Sequence, residues 1–219
     1  MKRYAPFVIV ALVALTTIAC GTLLYRGKKP ANRPQGATMA ESHDTGTHVL
    51  GNVSAKVTLE EYGDFQCPPC GTLAEPLNQM VREFQPNLRL VYRNFPLPVH
   101  LHAREAAVAA EAAGLQGKFW EMHDLLYREQ GVWSKGTNVQ FLFNTYAGML
   151  GLDVRRFALD SASESTNDLV ENDERRVQSL NIKNTPTLFL NETVVEAKNL
   201  NPAALRSLIG AALNKNPKP

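Results

Sequence analysis

The hydrophobic pattern divides the chain into three regimes. Residues 5–24 are twenty consecutive uncharged positions, mostly Ala, Val, Leu, Ile and Thr, the length that spans a bilayer's hydrocarbon core. Residues 30–47 hold Pro, Gly, Ala, Ser, Thr and Asn with few large apolar side chains, the composition of a flexible spacer. Beyond them the pattern alternates between periods. Residues 57–62 are short and β-prone and run into Gly63-Asp64, which predicts a strand. Leu73, Leu77, Met80, Val81 and Phe84 then share one face of a helix over 70–84, with Pro76 inside it as an expected kink. Residues 88–92 alternate as a second strand, ended by the proline-bearing stretch 94–98.

A long helical region follows, predicted over 103–113, 118–129, 139–150, 154–159 and 167–180, an insertion of about eighty residues. Strand signals return at 187–190 and 193–195, joined by Asn191-Glu192 as a tight turn. Pro202 suits the first turn of a last helix over 203–213, and 214–219 reads as a frayed end.

Charge changes the picture of partners. The formal net charge is +2, with 23 basic and 21 acidic residues. Lys2, Arg3, Arg26, Lys28 and Lys29 flank the apolar run, so only 18 basic residues stand against the 21 acidic ones beyond Lys29. The folded part is mildly acidic and has no basic patch of the kind that neutralises phosphates, which argues against nucleic acid as a partner.

The apolar run implies export and a membrane tether. Two forms fit: an uncleaved signal anchor, or a lipoprotein signal in which Thr17-Ile18-Ala19-Cys20 is a degenerate lipobox and Cys20 is acylated. The anchor is favoured, because apolar character continues past Cys20 through Leu23, Leu24 and Tyr25. Basic residues on both flanks leave the orientation open by the positive-inside rule. The expected location is the outer side of the cytoplasmic membrane.

With Cys20 in the tether, the folded part keeps one pair, Cys67 and Cys70, separated by Pro68-Pro69. So small a loop does little to staple a fold, and in an exported protein the pair points to redox chemistry. A thiolate attacks disulfides, so the working sulfur needs its charge stabilised and its surface exposed. Cys67 stands where the first strand gives way to a helix, whose free N–H groups and positive end lower a thiol's pKa. Cys70, one turn later, should face inward and resolve the mixed disulfide formed at Cys67. Pro68-Pro69 rigidifies the turn but removes two N–H donors. A zinc site would need further ligands, and no second cysteine pair exists. Of His43, His48, His100, His102 and His123, only His100 and His102 are close in sequence, and on a helix they would face apart. Surface or capping roles are expected for the histidines, with no metal and no cofactor.

Gly63-Asp64-Phe65-Gln66-Cys67-Pro68-Pro69-Cys70, Leu90 to Leu97, Gly117-Lys118-Phe119-Trp120 and Thr185-Pro186-Thr187-Leu188-Phe189-Leu190 together resemble the DsbA-like thioredoxin-fold oxidoreductases, over residues 49–213. The resemblance implies an α/β thioredoxin-like fold with an inserted all-helical subdomain. On it the chain divides into an anchor or lipoprotein signal (1–29), a linker (30–47), the first part of the thioredoxin-like domain (48–98), the helical insertion (99–181), the second part (182–214) and a tail (215–219).

The resemblance further implies a cis Pro186 opposite the cysteines, with Thr185 offering backbone groups to an extended substrate and Pro68 beside them. Glu61, six residues before Cys67, matches the buried acid of thioredoxin-like proteins, and Asp64 reads as a turn residue. Pro69 stands where the best-known members have histidine, which implies a less acidic Cys67 and a less oxidising pair. Phe119, Trp120, Phe141 and Phe143 read as core. The expected activity is disulfide exchange with cysteine-containing exported polypeptides, as a dithiol oxidase or else a reductase or isomerase, with a redox partner recycling the pair; the second reading is a binding module that presents a metal site or a peptide groove.

Overall fold

A computed structural model describes residues 48–215. The expected anchor (1–29) with its candidate Cys20, the linker (30–47) and residues 216–219 lie outside them. Among the described residues, no helix is long and apolar enough to cross a membrane.

Five strands form one sheet: β1 His48–Gly51, β2 Val57–Gly63, β3 Leu88–Asn94, β4 Thr187–Leu190 and β5 Thr193–Val194, in the spatial order β1-β3-β2-β4-β5. β2 and β3 are parallel, and the remaining pairs are antiparallel. Parallel neighbours need a crossover, and helix α1, Pro68–Glu83, supplies it. α1 runs unbroken through Pro76. Its face of Leu73, Leu77, Met80 and Val81 packs on Val57 and Leu59 of β2 and on Leu88 and Leu90 of β3, with Leu205 and Ile209 of the last helix, α8 (Pro202–Lys215), in the same core.

The insertion is built round α2, Ala103–Gly114. Seven of its alanines are buried, and their small side chains let other helices approach closely. Against it lie α3 Phe119–Arg128, the one-turn α4 Gln130–Trp133, α5 Val139–Met149, α6 Val154–Ser161 and α7 Glu164–Ser179. Side chains of Asn138, Asp153 and Ser163 accept from the first-turn N–H groups of α5, α6 and α7, the usual way such ends are satisfied.

Several expectations need correction. α7 starts at Glu164 rather than 167 because Ser163 caps it. Residues 214 and 215 continue α8 instead of fraying. Phe119 and Phe143 are core, but Phe141 is 67 % exposed. Histidines are not merely peripheral: His123 is fully buried among Phe65, Tyr92, Trp120 and Tyr127, and His48 stacks on Phe119 at 3.4 Å while bonding Glu111. His48 thereby joins a buried polar network in which Asn94 Nδ2 donates to Glu111 and Arg93 bridges Glu60 and Asp173. That network ties β1 and β3 to α2 and α7.

Candidate active site

Cys67 is the N-cap of α1, with extended backbone, and Pro68 and Pro69 fill the first two helical positions. Proline is tolerated there because those N–H groups have no partner within the helix. Its thiol lies 3.5 Å from the carbonyl oxygen of Thr185, and the Thr185–Pro186 peptide is cis. The structure thus brings Cys67, Pro68, Cys70, Thr185 and Pro186 together at one end of the sheet. The two sulfurs are not bonded to each other in the structure.

Sequence reasoning expected an exposed sulfur at Cys67, and burial is tighter than that. Cys67 keeps 5 % of its surface and Cys70 none. The two thiols are correspondingly driven apart in acidity. Cys67 falls from the ordinary 9.0 to about 6: hydrogen bonding from the Cys70 thiol is the largest cause and outweighs burial, with Thr185 and the Cys70 N–H assisting and Asp64 opposing. Cys70 N–H is the first one the helix offers after the two prolines, so part of the donation lost at Pro68-Pro69 is recovered one residue later. Burial chiefly, then its bond to Cys67 and the nearness of Glu61, push Cys70 far upward.

Glu61 shares a face of β2 with Val57 and Leu59 and is wholly buried, pairing in register with Tyr92 of β3 and Leu188 of β4. Neither carboxyl oxygen has a hydrogen-bond partner. Desolvation first, and the Cys67 charge second, raise its pKa to about 8, so the neutral acid persists through neutral pH. Adjacent Glu60 points to the opposite face and pairs with Arg93 and Arg176.

Asp64 does more than make a turn. It is 1 % exposed, and its carboxylate accepts from the N–H groups of Gln66 and Leu97 and bonds the His100 ring. Gly63 is required beside it, since a Cβ there would lie within 2.6–2.9 Å of the Tyr92 ring and hydroxyl. Sequence reasoning missed Gln66 and Gln130. Gln66 Oε1 accepts from His102 N–H and its Nε2 donates to Ser134 O, while Gln130 Nε2 donates to Phe65 O and Cys67 O. The position of Gln66 next to Cys67 was a local signal, but nothing local marked Gln130, sixty-three residues away. Among the described residues, no group of three or more His, Cys, Asp or Glu is arranged to hold a metal ion.

A family model described as thioredoxin matches residues 43–211. The chain is 41% identical over 145 residues to the Na(+)/H(+) antiporter NhaA 1 of Salinispora arenicola, a match covering 66% of this chain and 21% of that protein. It is 38% identical over 149 residues to the Na(+)/H(+) antiporter NhaA 1 of Mycolicibacterium gilvum, covering 66% of this chain and 23% of that one. The chain spans about a fifth of the length of these curated relatives. Among solved structures, oxidised BdbD from Bacillus subtilis superposes with a TM-score of 0.69 at 23% identity, covering 77% of this chain and 94% of the other. A thioredoxin-like oxidoreductase from Silicibacter pomeroyi gives 0.63 at 26% identity, with 79% and 93% covered. Pseudomonas aeruginosa DsbA2 gives 0.59 at 24% identity, with 74% and 92% covered. Matched along most of its length by one family model, and carrying its cysteine pair at the strand-to-helix junction beside Thr185-Pro186, the chain belongs to the thioredoxin family.

Proposed function

We propose that this protein is a dithiol oxidase of exported polypeptides, with Cys67 as the exchanging sulfur, Cys70 as its resolving partner and Glu61 as the proton carrier between buried thiol and carboxyl. The observation that carries the reading is the divergence of two neighbouring thiols: Cys67, at the mouth of the helix, is acidified to about 6, while Cys70, one turn in, has no exposed surface. A thiolate so stabilised favours the reduced pair and makes its disulfide a better oxidant.

The exchange balances as follows. In the oxidised protein a substrate thiolate attacks Sγ of Cys67, the Cys67–Cys70 bond breaks, and Cys70 leaves with the electron pair. Glu61, neutral at pH 7 by its raised pKa, supplies the proton that Cys70 needs in its apolar surroundings. A second substrate thiolate then attacks the substrate sulfur of the mixed disulfide, and Cys67 departs as the stabilised thiolate. The substrate gains a disulfide, the protein is left with two thiols, and a redox partner must reoxidise them. Thr185 and Pro186, beside Cys67, are the proposed contact for an extended substrate strand, with Pro68 on the other side.

The apolar run at residues 5–24 supports placement on the outer side of the cytoplasmic membrane, tethered by that segment. The test is turnover. The oxidised protein should introduce disulfides into a reduced, unfolded polypeptide; stoichiometric reduction of oxidised substrates with no net oxidation would instead assign the opposite direction.

A further inference from the structure

Gln130 opens α4 and reaches from the helical insertion to the junction between β2 and α1. Its Nε2 lies 2.7 Å from Phe65 O and 3.0 Å from Cys67 O. We propose that Gln130 is a positioning residue for Cys67: its amide fixes the main chain on both sides of Gln66 and so holds the sulfur at the helix start beside Thr185. This rests on Cys67 being the exchanging sulfur.

The junction needs a donor from elsewhere. A carbonyl entering a helix ordinarily bonds the N–H three or four residues on. For Phe65 those residues are Pro68 and Pro69, which have none. Gln130 supplies the missing donor and extends it to the Cys67 carbonyl, whose bond from Gly71 N–H is long at 3.2 Å. Both of its partners are pure acceptors, so the NH₂ end must face them, and a side chain ending only in acceptors cannot substitute.

Two further features fit this role. Gly71 leaves the space: a Cβ there would come within 3.1 Å of Gln130 Oε1 and 3.3 Å of Nε2. The helix bearing Gln130 is itself held firmly, since Trp133 is fully buried, its Nε1 donates to Leu126 O at 2.7 Å and its ring meets Phe143 edge-on. The amide is therefore presented from a rigid base. Because the acidity of Cys67 depends chiefly on hydrogen bonding from the Cys70 thiol, loosening its main chain should weaken that bond.

The test follows alkylation of the reduced full-length protein by iodoacetamide against pH, in Q130M, which keeps length but has no donor, and in Q130K, which restores donors. Q130M should move the midpoint upward from the wild-type value; a move from about 6 to about 7 would cut the rate at pH 6 about five-fold. Q130K should lie at or below the wild-type midpoint. A Q130M midpoint equal to wild type with a lowered Tm would overturn the inference, leaving Gln130 a merely structural group. If Q130M does not fold, a native Q130K with a midpoint above wild type overturns it as well. A wild-type midpoint near 9 would remove the proposed role of Cys67 and this inference with it, whereas a normal wild-type midpoint with an unmoved Q130M removes the inference alone.

Discussion

Cys67 Sγ stands 3.5 Å from the carbonyl oxygen of Thr185, across 118 residues of sequence. The contact joins the two halves of the thioredoxin-like domain on either side of the helical insertion, and places the acidified sulfur next to main chain that an extended polypeptide could pair with.

The two cysteines should fail differently when replaced. Cys67→Ser is expected to abolish disulfide transfer to a reduced unfolded protein. Cys70→Ser cannot form the internal disulfide, but its Cys67 thiolate should attack a disulfide-containing polypeptide and accumulate the mixed disulfide, visible on non-reducing gels, because the thiol that would release it is gone. Full turnover in Cys67→Ser would reverse the assigned roles.

Glu61 makes a stability prediction with a definite sign. Its folded pKa, about 8, is above the ordinary 4.5, so between those values the unfolded chain binds fewer protons and stability falls as pH rises. Glu61→Leu removes a buried carboxyl that has no partner. It should stabilise the protein by an amount on the order of a few kcal/mol at pH 8 and by much less at pH 5, in denaturant unfolding, while slowing formation of the mixed disulfide with substrate. An equal gain at both pH values would show that Glu61 does not titrate in this range.

Cys67 contributes with the opposite sign, and only when reduced. Its folded pKa of about 6 lies below the ordinary 9.0, so the thiolate's contribution is complete above pH 9 and is lost as pH falls through 6. The stability of the reduced protein minus that of the oxidised protein should therefore grow from pH 6 to pH 9. A flat difference would mean an unperturbed thiol.

Asp64 opposes the acidity of Cys67 by charge while holding the Gln66 and Leu97 N–H groups. Asp64→Asn should lower the Cys67 midpoint further, the direction contrary to Q130M. Asp64→Ala, which strands those N–H groups, should cost roughly 2–4 kcal/mol of stability in denaturant unfolding. A raised midpoint in Asp64→Asn would contradict the charge argument.

Much of this architecture was legible in the residue pattern, and the exceptions share a cause. β2, α1, β3 and the β4–β5 hairpin follow from local periodicity and from Asn191-Glu192. β1 was not, because His48–Gly51 is four half-covered residues whose strand character exists only through pairing with Leu90, Val91 and Tyr92. α4 was hidden by its length and by Gly131, and is held by the burial of Trp133. The reactive pair was visible from spacing alone, whereas the groups that hold it were not. Gln130, Asp64 and His100 matter through contacts made at long range, and a polar side chain's role in such contacts leaves no periodic trace.

The most direct measurement is mass-spectrometric alkylation of the reduced protein, followed site by site from pH 4 to pH 10. The account predicts that Cys67 alone is labelled rapidly, with a midpoint near 6, and that Cys70 resists throughout. Equal labelling of both cysteines, or a Cys67 midpoint near the ordinary 9.0, would contradict it.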